Sequence, residues 1–123
     1  MTTNINITIS TRFLDNQSEP EENRFVFSYT ITITNNERES VQLLSRHWII
    51  KDANNKFEEV IGEGVIGEQP IIKSGETYEY TSGVILDTEI GTMEGFYDMS
   101  YPDQKIQKAK IPLFTLSIPR TLH

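Results

Sequence analysis

The stretch "RFVFSYTITIT", residues 24–34, alternates with a period of two. Phe25, Phe27, Tyr29, Ile31 and Ile33 share one parity, and mostly Ser and Thr occupy the other. Successive side chains of a β-strand point to opposite faces, so this pattern builds one buried and one wet face. A helix would scatter the same residues around its circumference. "NINITIS" repeats the pattern with Ile5, Ile7 and Ile9. Further strand signals lie in "VQLLSRHWIIKD", "KFEEVI", "QPIIKSGETYEYTSGVI", "GTMEGFYDMSY" and "AKIPLFTLSI". "NNERES", "ANN" and Ser74–Gly75 supply turns. No segment sustains a 3.6-residue period. Strands recurring at about 8–12-residue intervals predict an all-β, antiparallel sandwich of seven to eight strands. A small closed barrel is the alternative. Pro112 predicts an edge strand or a bulge, because proline cannot donate to a ladder.

A chain of 123 residues fits one domain, residues 1–123. It buries enough surface to fold without a staple. It has no cysteine, which excludes disulfides, thiol nucleophiles and cysteine-based zinc sites. The formal charge of -7 gives no electrostatic drive toward nucleic acid. "DNQSEPEEN" reads as a solvated acidic loop. "MTTNINITIS" has neither the basic nor the apolar region of a signal peptide, and no apolar run reaches membrane-spanning length. The expectation is a cytoplasmic protein with no membrane or nucleic-acid partner.

The segment "IGEGVIGEQP" places Gly62, Gly64 and Gly67 at the G-x-G-x-x-G spacing of a dinucleotide-binding turn. That fingerprint requires a helix whose N-terminal amides hold the pyrophosphate. Pro70 and Gly75 leave about five residues for it, too few for a stable helix. Glu63 and Glu68 would repel a phosphate, and no cation lies between Lys56 and Lys73. The glycines are therefore expected to shape the backbone, as a bulged crossover between sheets, with an anion-binding loop as the alternative. Asp87 lies 20 positions after Gly67, but acidic residues are frequent here.

"SRHWII" carries His47 and Trp48, the latter expected in the core. Strict alternation groups Trp48 with Leu44, Arg46 and Ile50, and His47 with Leu43, Ser45 and Ile49. Nothing local supplies His47 with an orienting acid, so it reads as structural. No metal-ligand spacing occurs, although carboxylates from separate strands would leave no signature.

"RHWIIKD", then "VIGEGVIGEQPIIKSGETYEYTSG", then "GTMEGFYDM" resemble the ApaG family in order and spacing, within a match from Ile5 to Phe114. The resemblance implies an immunoglobulin-like or fibronectin type III-like sandwich without disulfides and no established enzymatic activity. It also implies a link to cobalt and magnesium homeostasis and genes beside a diadenosine tetraphosphate hydrolase. In eukaryotes the domain is joined to an F-box protein and to a polymerase-interacting protein, as an interaction module. The family's glycine signature, proposed to bind pyrophosphate, maps here onto Gly62, Gly64 and Gly67. Ser74 departs from the proline that many members carry before the next glycine.

The expectation is a non-enzymatic module for another protein, monomeric or a weak homodimer, with no cofactor and no resident metal. Its candidate contact residues are Val65 and Ile66 in "GEGVIG", and Met93, Glu94, Phe96 and Tyr97 in "MEGFY"; the alternative for the two aromatics is that one is core and the other an ordinary exposed residue. Nucleotide or pyrophosphate binding by the glycine loop is the first alternative, and a carboxylate site for a divalent cation is the second.

Overall fold

The computed structural model describes residues 3–119. Eight strands form: β1 (Ile5–Phe13), β2 (Phe25–Asn35), β3 (Val41–Asp52), β4 (Phe57–Glu63), β5 (Ile71–Ile72), β6 (Thr77–Leu86), β7 (Ile90–Ser100) and β8 (Ile106–Ser117). The only helical elements among the described residues are two 3-10 turns, Asp15–Gln17 and Pro20–Glu22, in the exposed acidic loop. Among the described residues no helix is long and apolar enough to cross a membrane.

One sheet has the order β1-β2-β6 and the other β4-β3-β7-β8, with β5 also pairing β3. All ladders are antiparallel. The two sheets enclose one core, as a β-sandwich does. The alternating residues of β2 behave as their parity predicts: Phe25, Phe27, Tyr29, Ile31 and Ile33 are all buried. Across the outer face of this sheet run hydroxyls instead, with Thr30 bonded to Thr81 at 2.8 Å and Thr34 to Thr77 at 3.1 Å. That face is solvated, as one side of an antiparallel sheet commonly is.

The larger sheet departs from strict alternation at two bulges. On β3 the register shifts between Leu43 and Ser45, opposite Met99 and Asp98. Leu44 is the extra residue. Leu43 and Trp48 therefore both enter the core, with 0% and 2% exposure, although their parities differ. The expected grouping of Leu43 with His47 is corrected by this one inserted residue, since a single slip exchanges the faces. On β8 the second irregularity brackets Pro112 and Leu113 opposite Glu94. Pro112 thus lies on an edge strand and in a bulge, where its missing N–H removes no ladder bond.

Trp48 packs edge-on to Tyr29 of the opposite sheet at 5.5 Å, to Phe114 at 5.8 Å and to Tyr97 at 6.4 Å. Its ladder neighbour is Gly95, where an added Cβ would stand 1.9 Å from the His47 carbonyl oxygen. Only glycine permits that approach. Below the indole, the hydroxyls of Tyr80 and Tyr97 bond to each other at 2.5 Å. Asn35 is a second buried polar centre. Its amide donates to the carbonyls of Glu39 and Ile72, each at 2.9 Å, and its Oδ1 accepts from Glu37 N at 2.8 Å. Two of these bonds close the β2–β3 turn on itself and the one to Ile72 ties it to β5, so this amide is satisfied where an unpaired one would be costly.

Two predictions follow from the core. Trp48→Ala removes a large buried aromatic and should lower unfolding free energy by about 3–5 kcal/mol. Denaturant titration checks this; a change within about 0.5 kcal/mol, typical of surface sites, would contradict it. The second concerns alkali. Burial raises the pKa of Tyr97 first of all, helped by Tyr80, and burial likewise dominates the upward shift of Tyr80. A raised folded pKa leaves stability intact below the unfolded value, about 10 for tyrosine. Above it the unfolded chain loses protons that the fold retains. Stability should then fall by up to about 1.4 kcal/mol per pH unit for each group. Tyrosinate absorbance should appear together with the loss of the β circular-dichroism signal; tyrosinate formed from Tyr80 and Tyr97 in the intact fold would refute this.

Candidate functional site

The glycine segment is a tight turn, correcting the expected bulge. β4 ends at Glu63 and no helix follows. Val65 N donates to Glu68 O at 2.8 Å and Glu68 N returns to Val65 O at 2.9 Å. Between them Ile66 and Gly67 have φ of 42° and 78°. This is a two-residue turn of the I′ kind, which needs positive φ at both central positions. The amide of Gly64 donates to the carbonyl of Leu44, the bulge residue, at 2.7 Å. Gln69 Nε2 reaches the same carbonyl at 2.9 Å. A cation does stand at this loop: Arg46, from β3, donates to the carbonyls of Gly64 at 2.8 Å and Glu63 at 3.2 Å. Its guanidinium also covers Gly62, where a Cβ would meet it at 2.6 Å. The amides of Gly64, Val65 and Glu68 are engaged by backbone carbonyls, and the arginine clamps the turn from the other side.

Val65 is buried, as are Met93 and Tyr97. Their side chains belong to the core, which corrects the expectation that they are contact residues. In β7 the odd positions face inward, so of the two aromatics in "MEGFY" Tyr97 is core and Phe96 faces out. Ile66 is exposed at the turn tip, and Glu94 is exposed on the sheet.

Phe96 lies at the centre of the outer face of β4-β3-β7-β8. Its ladder neighbours are His47 and Lys110, and His47 in turn pairs with Ile61. The rings of His47 and Phe96 are 4.7 Å apart, and Lys108 Nζ stands 4.2 Å over the Phe96 ring, in cation–π range. Lys108 also reaches Asp98 at 3.3 Å. His47 does have an acidic partner, contrary to the sequence expectation: its Nε2 and Glu59 Oε2 are 2.7 Å apart. The hairpin register sets Glu59 opposite Ile49, diagonal to His47. His47, Glu59, Phe96, Lys108 and Lys110 line a shallow open concavity with Ile49 and Glu94. Ser45, the nearest hydroxyl in the ladder, is bonded to Asp98 at 2.9 Å rather than to His47. Among the described residues no three His, Asp or Glu side chains gather as a metal site.

Large apolar side chains surround this centre. Phe57 and Ile61 on β4, Ile71 on β5, and Ile106 and Leu113 on β8 are all exposed, Phe57 and Ile61 by 66% and 69%. The sequence reading did not single out any of the five. Their signal lies in β4, where "FEEVIGE" has apolar residues on both parities, Val60 inward and Phe57 and Ile61 outward. A strand apolar on both faces belongs to a sheet with apolar surface on both sides.

The family model described as the ApaG domain matches residues 15–101. The chain belongs to the ApaG family. Protein ApaG of Xylella fastidiosa is 54% identical over 119 residues, covering 97% of this chain and 94% of the relative. Protein ApaG of Thiobacillus denitrificans is 51% identical with the same coverage. A crystal structure from Bordetella pertussis superposes with a TM-score of 0.93 at 41% identity, covering 98% of each chain. Gly62, Gly64 and Gly67 thus belong to the turn clamped by Arg46. Gly64→Ala and Gly67→Ala should separate its two parts. At Gly64, with φ of 63°, a Cβ would stand 2.2 Å from the Glu68 carbonyl oxygen; at Gly67 nothing lies within 4 Å. Gly67→Ala should lose only the roughly 1–2 kcal/mol of left-handed strain, and Gly64→Ala distinctly more. Thermal or denaturant unfolding checks the order, and equal losses would contradict it.

Proposed function

We propose that this ApaG domain is a non-enzymatic, cytoplasmic module that binds another protein through the outer face of its larger sheet. The observation that carries this reading is the contrast between the two outer faces. The three-stranded sheet presents threonine and serine rows to water, with a single large apolar side chain, Ile85, exposed near the end of β6. The larger sheet presents Phe57, Ile61, Ile71, Ile106 and Leu113. Exposed apolar residues gathered on one face mark interaction surfaces, whereas scattered single ones do not. Phe96, stacked on His47, provides the aromatic centre around which binding energy concentrates. The His47–Glu59 pair lies on this open face beside no free nucleophile, which suits recognition better than proton transfer. The link of the family to cobalt and magnesium homeostasis would then run through the protein partner.

An affinity pull-down with mass spectrometry tests this. The wild-type chain should capture a host protein. Ile61→Lys and Leu113→Lys should lose it while keeping the β spectrum. Thr8→Lys, on the outer face of the other sheet, should retain it. Capture that survives both face substitutions, or is lost equally with Thr8→Lys, would overturn the assignment of this face.

A further inference from the structure

The face of the larger sheet is laterally polarised, and its two margins match each other. One transverse row reads Glu63, Ser45, Asp98, Lys108 from β4 to β8. The central row reads Ile61, His47, Phe96, Lys110. A third, at the β5 end, reads Ile71, Gln42, Ser100, Ile106. Acid and apolar groups occupy the β4 margin, lysines the β8 margin, and isoleucine both ends of the third row.

We propose that the face takes a second copy of this chain, related by a two-fold axis lying in the face and running along the strands. This rests on the reading of the face as a binding surface and names an occupant for it. A two-fold interface sets one patch against itself. An axis along the strands exchanges β4 with β8 and β3 with β7 while keeping each row opposite itself. Glu63 then meets Lys108 of the second copy, Ser45 meets Asp98, His47 meets Phe96 and Ile71 meets Ile106, while Ile61 lies against the stem of Lys110 and Ile49 against that of Glu94. An axis across the strands would instead set Glu63 against Glu59, a like-charge contact. Facing sheets are offset by about 30°, so the match is closest near the central row and the adjoining Glu63–Lys108 pair.

Size and charge agree. The 12 residues of β3, at about 3.3 Å each, and four strands at about 4.8 Å, span roughly 800 Å², the area per partner of a standard interface. The face is also close to neutral, with Glu59, Glu63, Glu94 and Asp98 against Lys51, Lys108 and Lys110. The net charge of -7 therefore sits mainly elsewhere, and the self-repulsion it causes falls within a Debye length of about 8 Å at physiological salt.

Sedimentation velocity across concentrations up to about 1 mM, the weak limit of a specific association, is the test. The wild-type chain should pass from monomer to dimer. Glu63→Lys and Lys108→Glu each turn two symmetric attractions into repulsions and should weaken dimerisation on the order of tenfold. An equimolar mixture of the two variants should recover it, because both contacts become opposite in sign. The chain carrying both substitutions should also dimerise alone, which controls for folding. A wild-type chain that stays monomeric, or variants that fail to rescue each other, would overturn the proposal. If that happens while Ile61→Lys still abolishes capture of a host protein, the binding-surface reading stands and the occupant is a different chain. If capture is also unaffected by Ile61→Lys, both readings fall.

Discussion

Trp48 packs where the two sheets meet, and the placement of the other elements depends on how it is seated. Its indole touches Tyr29 across the interior and Tyr97 and Phe114 within its own sheet. Three conditions make the seat. The Leu44 bulge aligns the parity of Trp48 with Leu43. Gly95 lets β7 approach the backbone of β3. The second bulge, at Pro112, turns Phe114 inward against the indole. The indole N–H is buried without a hydrogen-bond partner among the described residues. An unsatisfied buried donor costs about 1–3 kcal/mol, so apolar and ring contacts must outweigh it.

The same bulge organises the glycine turn. A residue inserted into one strand leaves its carbonyl outside the ladder. The carbonyl of Leu44 accepts from Gly64 N and from Gln69 Nε2, one on each side of the turn. Arg46, two residues on, holds the carbonyls of Glu63 and Gly64. Core packing and the glycine turn are therefore coupled through Leu44, Arg46 and Trp48 of β3. A substitution that shifted the bulge would move Trp48 and unfasten the turn together.

The course of the strands was legible in the sequence because period-two alternation is local. β3 begins and ends at Val41 and Asp52, where its signals do. Pro112 announced its bulge by lacking a donor. The Leu44 bulge had no such announcement, since two consecutive leucines satisfy either parity. The candidate face was harder still. His47 meets Glu59 twelve residues away and diagonally, through a hairpin register that a sequence does not display. Arg46 reaches the glycine loop only because β3 and β4 pair, so a count of cations along the chain missed it. Val65, Met93 and Tyr97 looked like surface residues beside flexible glycines. Met93 and Tyr97 are core because the odd positions of β7 face inward, and Val65 because the turn seats it against the sandwich.

The turn at Val65–Glu68 divides the glycine segment into a fixed root and a free tip. Gly62, Gly64 and Val65 are held by the arginine, the bulge carbonyl and the core. Ile66 and Gly67 are exposed, and open space surrounds the Gly67 Cα. Chain length is thus free to vary at the tip alone. Extra residues between Ile66 and Gly67 would lengthen a surface loop at about 0.6 kcal/mol for each doubling of its length. The same insertion one residue earlier would draw Val65 out of the core. Relatives that differ in length within this segment should therefore carry the difference at the tip, and a peptide grafted there would be displayed on an otherwise unchanged sandwich.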